Sequence, residues 1–384
     1  VFDPRDPAFL ADPYPEFARL RAQAPVHQHD GLGLAIAVSH AAASAVLRHR
    51  GLGRIWTDAS PAEQFVSFNL LHRNSLLENE PPVHTRLRRS ISSAFGRGHV
   101  ERLRPTVMRL ADELVAGIAE AGSADLLDAL AQPLPVAVIS ELLDVPEADR
   151  PRLVPWSNAI VKMYEYGLPE EGRVAAERAA TEFVEFLREL AERRRREPGE
   201  DLITDLLRAE LTEDEVVATA VLLLMAGHEA TVNVIGNGVW ALLRHPDQWQ
   251  RLVDDPGLMP AAVEELIRFD SPLQLFERTA TEDVEIAGFR VAKGEKIAAL
   301  LGAAARDPEV FAEPDTLDVA RSDGTHLGFG AGIHYCIGAP LARIEIAAAL
   351  VALTKRLPGL RLAGEPERRP EFVIRGLKNL PVTV

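Results

Sequence analysis

The chain has a single cysteine, Cys336, in 384 residues. No intramolecular disulfide can form, so a disulfide-braced secreted scaffold is excluded. Basic residues are also scarce: 42 Lys and Arg stand against 57 Asp and Glu, a formal net charge of −15. Neutralising phosphates needs clustered cations, so this balance argues against a nucleic-acid binder and against an anionic membrane surface. Pro, Gly and Ser never gather into a linker, and no repeat is visible, which leads to the expectation of one domain over residues 1–384. The opening "VFDPRDPAFLADPYPEF" carries no apolar leader, although a start without Met leaves a trimmed leader open. Only Val216 to Ile235 is apolar over a length that could cross a bilayer, and it holds His228 and Glu229 near its middle. A buried core helix in a cytoplasmic, membrane-free protein is the expectation.

Helical periodicity dominates the rest. "PEFARLRAQ" reads as a short amphipathic helix and "PVHQHDGLGLAIAVSH" as a hairpin turning at Gly31 to Gly33. Residues 50–80 are poorly periodic and read as a long functional loop carrying Trp56, Phe65 and Phe68. Helices resume through "HTRLRRSISSAF", "RLRPTVMRLADELVAGIAEAG", "PVAVISELLDV" and "RVAAERAATEFVEFLRELAERRRREPG". The apolar helix opens on a capping box, Thr212 followed three residues later by Glu215. "PAAVEELIRFDSP" is a further helix, and "DVEIAGF", "EKIAALLGA", "LRLAG" and "FVIRG" read as short strands. The fold class is mainly α with a small β portion.

The segment "HLGFGAGIHYCIGAPLARIEIA" sets three glycines before Cys336 and a helix after it. Glycines let a backbone turn tightly and approach a flat partner. A Cys at a helix N-terminus gains thiolate character, as nucleophile or metal ligand; an inert Cys in a glycine turn is the alternative. The spacing Phe329-Gly330-x-Gly332-x-His334-x-Cys336-x-Gly338 resembles the haem-binding loop of the cytochrome P-450 family, and the resemblance extends from "DPYPEF" to the final strands. It implies the P-450 fold, haem b (iron protoporphyrin IX) as cofactor and Cys336 as axial ligand of the haem iron.

The same resemblance assigns further residues. Glu265 and Arg268 in "EELIR" and Arg321 in "PDTLDVAR" resemble a buried Glu-Arg-Arg network behind the haem. His84 and Arg88 in "PPVHTRLRR", with Arg278 and His334, resemble the propionate contacts. Ala226-Gly227-His228-Glu229-Ala230 resembles the oxygen-face motif of the central helix, with Glu229 feeding protons and Ala226 leaving room for dioxygen and substrate. His228 points elsewhere and is expected to be structural. The family usually has an alcohol where this chain has Ala230, and Thr231 lies one residue on, about 100° around a helix. Three compensations stay open: a group on the substrate, an ordered water, or Thr231 swung in through a bulge; greater leakage of peroxide is the plain alternative. Ala305 replaces an Asn common before "RDP", a lost local hydrogen bond.

By element position, Phe65, Phe68, Leu222, Met225, Gln274, Leu275 and Phe276 are expected to line an apolar substrate pocket or the core beside it. His72 and Arg73 fit either a carboxylate contact or an exposed loop. With no flavin module and no cysteine left for a cluster, electrons come from outside. The implied donors are a ferredoxin and an NAD(P)H-dependent ferredoxin reductase. "HTRLRRSISSAFGRGHVERLR", with six arginines and one acid, offers a docking face that includes Arg89 and Arg97, or else a solvated basic face. The expected reaction is insertion of one oxygen atom from O2 into a small apolar organic substrate by hydroxylation, O-dealkylation or epoxidation. Alternatives are a peroxide-driven peroxygenase or oxidative-coupling enzyme, and a non-catalytic haem-thiolate sensor, against which Glu229 argues. A thiol hydrolase lacks a His and a carboxylate placed around Cys336.

Overall fold

A computed structural model describes residues 1–384 apart from the Arg97 side chain, so the expectation about Arg97 lies outside the described residues. The elements that matter here are helices α1 (Val66–Arg73), α2 (Val83–Ser92), α3 (Pro133–Leu142), α4 (Glu170–Arg196), α5 (Glu213–Arg244), α6 (Met259–Phe269) and α7 (Ala339–Arg356). Strands β1 (Val26–His29), β2 (Leu34–Ala37), β3 (Leu52–Gly53), β4 (Leu275–Ala280) and β5 (Lys296–Leu300) make the largest sheet. The chain clusters into two units: residues 1–53, 104–134 and 230–384, and residues 54–103 and 135–229.

The first unit is built on the sheet, in the order β1-β2-β5-β4-β3. β2 and β5 run parallel with Ala35 opposite Ile297, and the other pairings are antiparallel. The expected hairpin is present: Val26 pairs with Ala37 and His29 with Leu34, and Gly33 takes φ +67° in the turn. β2 is buried along its whole length, as befits "LAIA" inside a sheet. The sheet core gathers Ala35, Ala37, Ile297 and Ala299 with Ala43, Val46 and Leu47, and it includes Leu327 and Ala331 from the stretch before Cys336. The cysteine loop is therefore braced on the sheet.

Three expectations are corrected. "EKIAALLGA" is strand only to Leu300 and then turns into a short helix, Leu301–Ala304. "FVIRG" makes one isolated bridge, Ile374 to Leu273, and no strand. Leu275 and Phe276, outside the strands read from the sequence, belong to β4.

In the second unit, residues 54–80 are not one long loop: Val66–Arg73 is helical. The sequence hides this helix because Phe65, its N-cap, makes no side-chain cap. Glu177 of α4 caps it instead, accepting the amides of Ser67 (2.8 Å) and Phe68 (2.9 Å). The capping box of α5 is present in both directions, Thr212 N–H to Glu215 (2.9 Å) and Glu215 N–H to the Thr212 hydroxyl (3.2 Å). Glu215 also accepts from Arg86 at 2.9 and 2.5 Å. By length and composition α5 could cross a membrane, yet 72% of its most apolar window is buried inside the protein.

Candidate active site

The cysteine loop is shaped by its glycines. Gly330 and Gly332 have φ +71° and +72°, where a side chain is strained. At Gly332 space is also lacking, since a Cβ would sit 2.6 Å from the Leu47 carbonyl. The Cys336 N–H donates to the Phe329 carbonyl at 2.9 Å, which closes the loop. Cys336 itself is exposed. Two residues later Gly338 caps α7, so the thiol stands at the positive end of an 18-residue helix, where the dipole favours thiolate. In the same unit Arg278 is buried, its Nη1 donating to the Glu277 carbonyl (2.9 Å) and its guanidinium 4.9 Å from the Phe276 ring. His334 ends the short turn Gly332–His334 and is half-buried.

The helix α5 answers why a Gly, a His and a Glu interrupt an apolar run. From Glu215 to Leu242, only Ala226 and Ala230 are exposed among the described residues, four apart on one face. Gly227 does not open that face: a Cβ there would meet Ile139 Cγ1 of α3 at 2.6 Å, so this glycine lets two helices touch. His228 is buried as expected, with Nδ1 against the Leu224 carbonyl (2.6 Å), and burial pushes its pKa down. Glu229 is 7% exposed, immediately before the exposed Ala230.

Thr231 is buried, and its hydroxyl is hydrogen-bonded to Glu345 on α7. Glu345 is only 1% exposed, and burial drives its pKa well above the ordinary range, so it holds its proton. α5 runs through this region without interruption. A bulge delivering Thr231 to the Ala226–Ala230 face would break both the helix and this bond. Sequence reasoning missed Glu345; its signal was an acid inside the apolar stretch "IEIAAAL".

The Glu-Arg-Arg network is formed. Glu265 accepts from Arg268 at 2.7 and 2.8 Å and from Arg321 at 3.0 Å, with side-chain exposures of 0%, 1% and 8%. Arg268 also donates to the Ala305 carbonyl (2.9 Å), so the backbone at Ala305 is engaged although the Asn side chain is missing. In the second unit His84 is buried and Arg88 half-buried on α2, and Arg89 is exposed.

The residues expected to line a pocket lie as follows. Phe65 and Phe68 are buried in an aromatic cluster with Trp56 and His72, and Arg173 of α4 lies 4.8 Å from the Phe65 ring. His72 is neither exposed nor a carboxylate contact: its Nδ1 meets the Phe68 carbonyl and its Nε2 the Tyr164 hydroxyl, both at 2.8 Å. Arg73 pairs with Asp58. Leu222 is half-buried and Met225 buried. Gln274 is fully buried, donating to the Ser271 carbonyl (2.7 Å) and filling the space that a Cβ on Gly302 would need. Leu275 is buried and Phe276 half-buried in β4.

An iron porphyrin asks for an accessible thiolate, a flat face free of bulky side chains and cations for two carboxylates. In the first unit the exposed Cys336, the exposed small side chain of Ala230 and the buried cation Arg278 suit each demand. The family comparison agrees. The model described as Cytochrome P450 matches residues 57–357. Cytochrome P450 monooxygenase PikC of Streptomyces venezuelae is 40% identical over 389 residues, covering 97% of this chain and 91% of the relative. The 6-deoxyerythronolide B hydroxylase of Saccharopolyspora erythraea is 41% identical over 313 residues, covering 79% of this chain and 76% of the relative. Among solved structures, P450BioI in complex with hexadec-9Z-enoic acid ligated acyl carrier protein superposes with TM-score 0.95 at 34% identity, covering 98% of this chain and 99% of that one. With its mainly helical fold and its thiol loop, the chain belongs to the bacterial cytochrome P450 family, as a monooxygenase whose cofactor is haem b.

Proposed function

We propose that this enzyme inserts one oxygen atom from O2 into a small apolar organic molecule, with electrons from a ferredoxin and its NAD(P)H-dependent reductase, in the cytoplasm. The observation that carries the reading is the exposed thiol of Cys336 at the N-terminus of α7, in a loop braced on the sheet core. Bound haem supplies oxygen activation and substrate oxidation, and the protein supplies the rest. Cys336 ligates the iron through Sγ, which enriches the metal in electron density. His84, Arg88, Arg278 and His334 offset the propionate charges. Glu229 passes protons at its carboxyl group. With Thr231 held by Glu345, the hydrogen bond usually given by an alcohol comes from the substrate or from an ordered water.

Leu222, Met225, Phe65 and Phe68 of the second unit, and Gln274, Leu275 and Phe276 of the first, are the candidate substrate contacts by sequence position. Arg86 is already paired with Glu215, so a donor would meet Arg89 and its exposed neighbours. The structural neighbour in complex with an acyl carrier protein supports testing carrier-linked acids beside free ones.

The deciding experiment compares product formation from O2, NAD(P)H, ferredoxin and reductase with product formation from hydrogen peroxide alone. The compounds used are those whose binding shifts the ferric haem absorption band. Turnover that needs the reductase supports the reading. Equal or faster turnover with peroxide alone replaces it with the peroxygenase alternative.

A further inference from the structure

Next to Glu265 in α6 stands a second glutamate that the family motif does not use. Glu264 Oε1 accepts from Arg343 Nε at 2.5 Å, and Oε2 accepts from Arg343 Nη2 and from His326 Nε2, each at 2.9 Å. His326 opens the cysteine loop, and Arg343 lies in the second turn of α7, which follows it. The Gly328 amide donates to His326 Nδ1 (3.1 Å), which fixes the tautomer so that Nε2–H points to Glu264. Arg343 does three things at once. It pairs with Glu264, lies 4.5 Å from the Phe329 ring centre, and is hydrogen-bonded to the Tyr335 hydroxyl. Phe329 is the residue whose carbonyl holds the Cys336 N–H.

We infer that Glu264 is a positioning residue for the haem-thiolate loop. It ties the first residue of the loop, the ring of Phe329 and the helix after Cys336 into one ion-paired cluster. The inference rests on the reading of Cys336 as iron ligand. Electrostatics adds a second reason for an acid here. A cation near the N-terminus of a helix is opposed by the helix dipole, and Arg343 is such a cation. Glu264 balances it. Burial pushes the Glu264 carboxyl up, but the bonds from His326 and Arg343 outweigh burial and hold it at about 2, so the balance persists over the working pH range. Removing the acid leaves an unmatched positive charge on the thiolate side and frees Phe329 to shift, which moves the amide bond to Cys336.

The test uses the haem-loaded enzyme with Glu264→Ala, Glu264→Gln and Glu264→Asp, and with Arg356→Ala, which removes the surface pair with Asp112, as a remote control. Two quantities are read: hydrogen exchange at the Gly328 and Cys336 amides, and the iron–sulfur stretching band by resonance Raman. Glu264→Ala is expected to exchange about tenfold faster at both amides and to shift the band, because charge-assisted bonds carry this local closure. Glu264→Gln gives an intermediate effect, Glu264→Asp recovers most of the parent behaviour, and Arg356→Ala changes neither. A lower melting temperature with exchange and band unchanged overturns the inference and leaves Glu264 as a plain stability residue. If Glu264→Ala does not fold, an unchanged band in Glu264→Gln overturns it equally. Absence of an iron–sulfur band from the parent would overturn the ligand assignment of Cys336 itself, an outcome separate from the others.

Discussion

Glu345→Gln should change how the stability of this enzyme depends on pH, and the sign follows from the structure. Glu345 is 1% exposed on α7, with the Thr231 hydroxyl as a hydrogen-bond partner, and burial raises its pKa well above 4.5. In the folded protein it keeps a proton that the unfolded chain releases above its ordinary pKa of about 4.3. Between that pKa and the raised folded value, the folded state binds more protons than the unfolded state. This group therefore subtracts stability as pH rises, by up to about 1.4 kcal/mol per pH unit. Gln keeps the size and the bond to Thr231 but cannot ionise. As pH rises from 5 the variant should gain on the parent for as long as the folded carboxyl keeps its proton. At about 2.1 cal/mol/K of unfolding entropy per residue, a chain of this length turns each kcal/mol of that gain into roughly 1 °C of melting temperature. Calorimetry of the haem-loaded proteins across pH 5 to 8 reads it, and any constant offset from the new amide drops out of the slope. Parallel curves for parent and variant would refute the reasoning and show that Glu345 is not neutral. The parent alone should also show the infrared C=O stretch of a protonated carboxyl.

Other substitutions test neighbouring steps. Glu265→Ala leaves the buried Arg268 with backbone carbonyls alone and Arg321 with carbonyls and the exposed Asp323, and should cost about 3–5 kcal/mol in denaturant unfolding along with haem retention. Gly332→Ala combines a positive φ with a Cβ 2.6 Å from a backbone oxygen, so the yield of correctly ligated haem should fall even where the protein still folds. Gly227→Ala should cost about 1–3 kcal/mol by overpacking Ile139, despite the better helix propensity of Ala, and less in an Ile139→Ala background. Ala230→Thr should alter the share of NAD(P)H converted to product more than Thr231→Val does, because position 230 is exposed while Thr231 faces Glu345. Equal effects would mean that Thr231 leaves Glu345 during turnover.

What could be read from the sequence was whatever is encoded locally. The capping box of α5 needs only Thr212 and Glu215, and both bonds are made. The cysteine loop encodes its own turns in Gly330 and Gly332. The helix Val66–Arg73 was missed because its cap is Glu177, 109 residues from Phe68. His72 looked like a loop residue because Tyr164, 92 residues away, is what buries its imidazole in a hydrogen bond. β4 was missed in part because a charged pair, Glu277 and Arg278, interrupts the apolar alternation, and Arg278 is buried all the same. Local chemistry is legible, and chemistry completed across the chain is not.

Three buried glutamates show how the cost of burying a carboxyl is met in different ways. Glu265 lies between two guanidiniums at 2.7–3.0 Å, so its oxygens are committed to holding Arg268 and Arg321. Glu345 escapes the cost by keeping its proton, and the same burial removes it from solvent. Glu229 stands on α5 directly before Ala230, on a turn whose outer face carries only the small side chains of Ala226 and Ala230. A group that cycles protons must lie near a face that substrate and water can reach, and among these three that condition is met at Glu229 alone. That placement supports the proton role proposed for the Glu in the middle of this apolar helix. On the same proposed reading the missing alcohol shifts the demand to the substrate: with Thr231 hydrogen-bonded to Glu345, a ligand without a hydrogen-bonding group relies on water or lets peroxide leak.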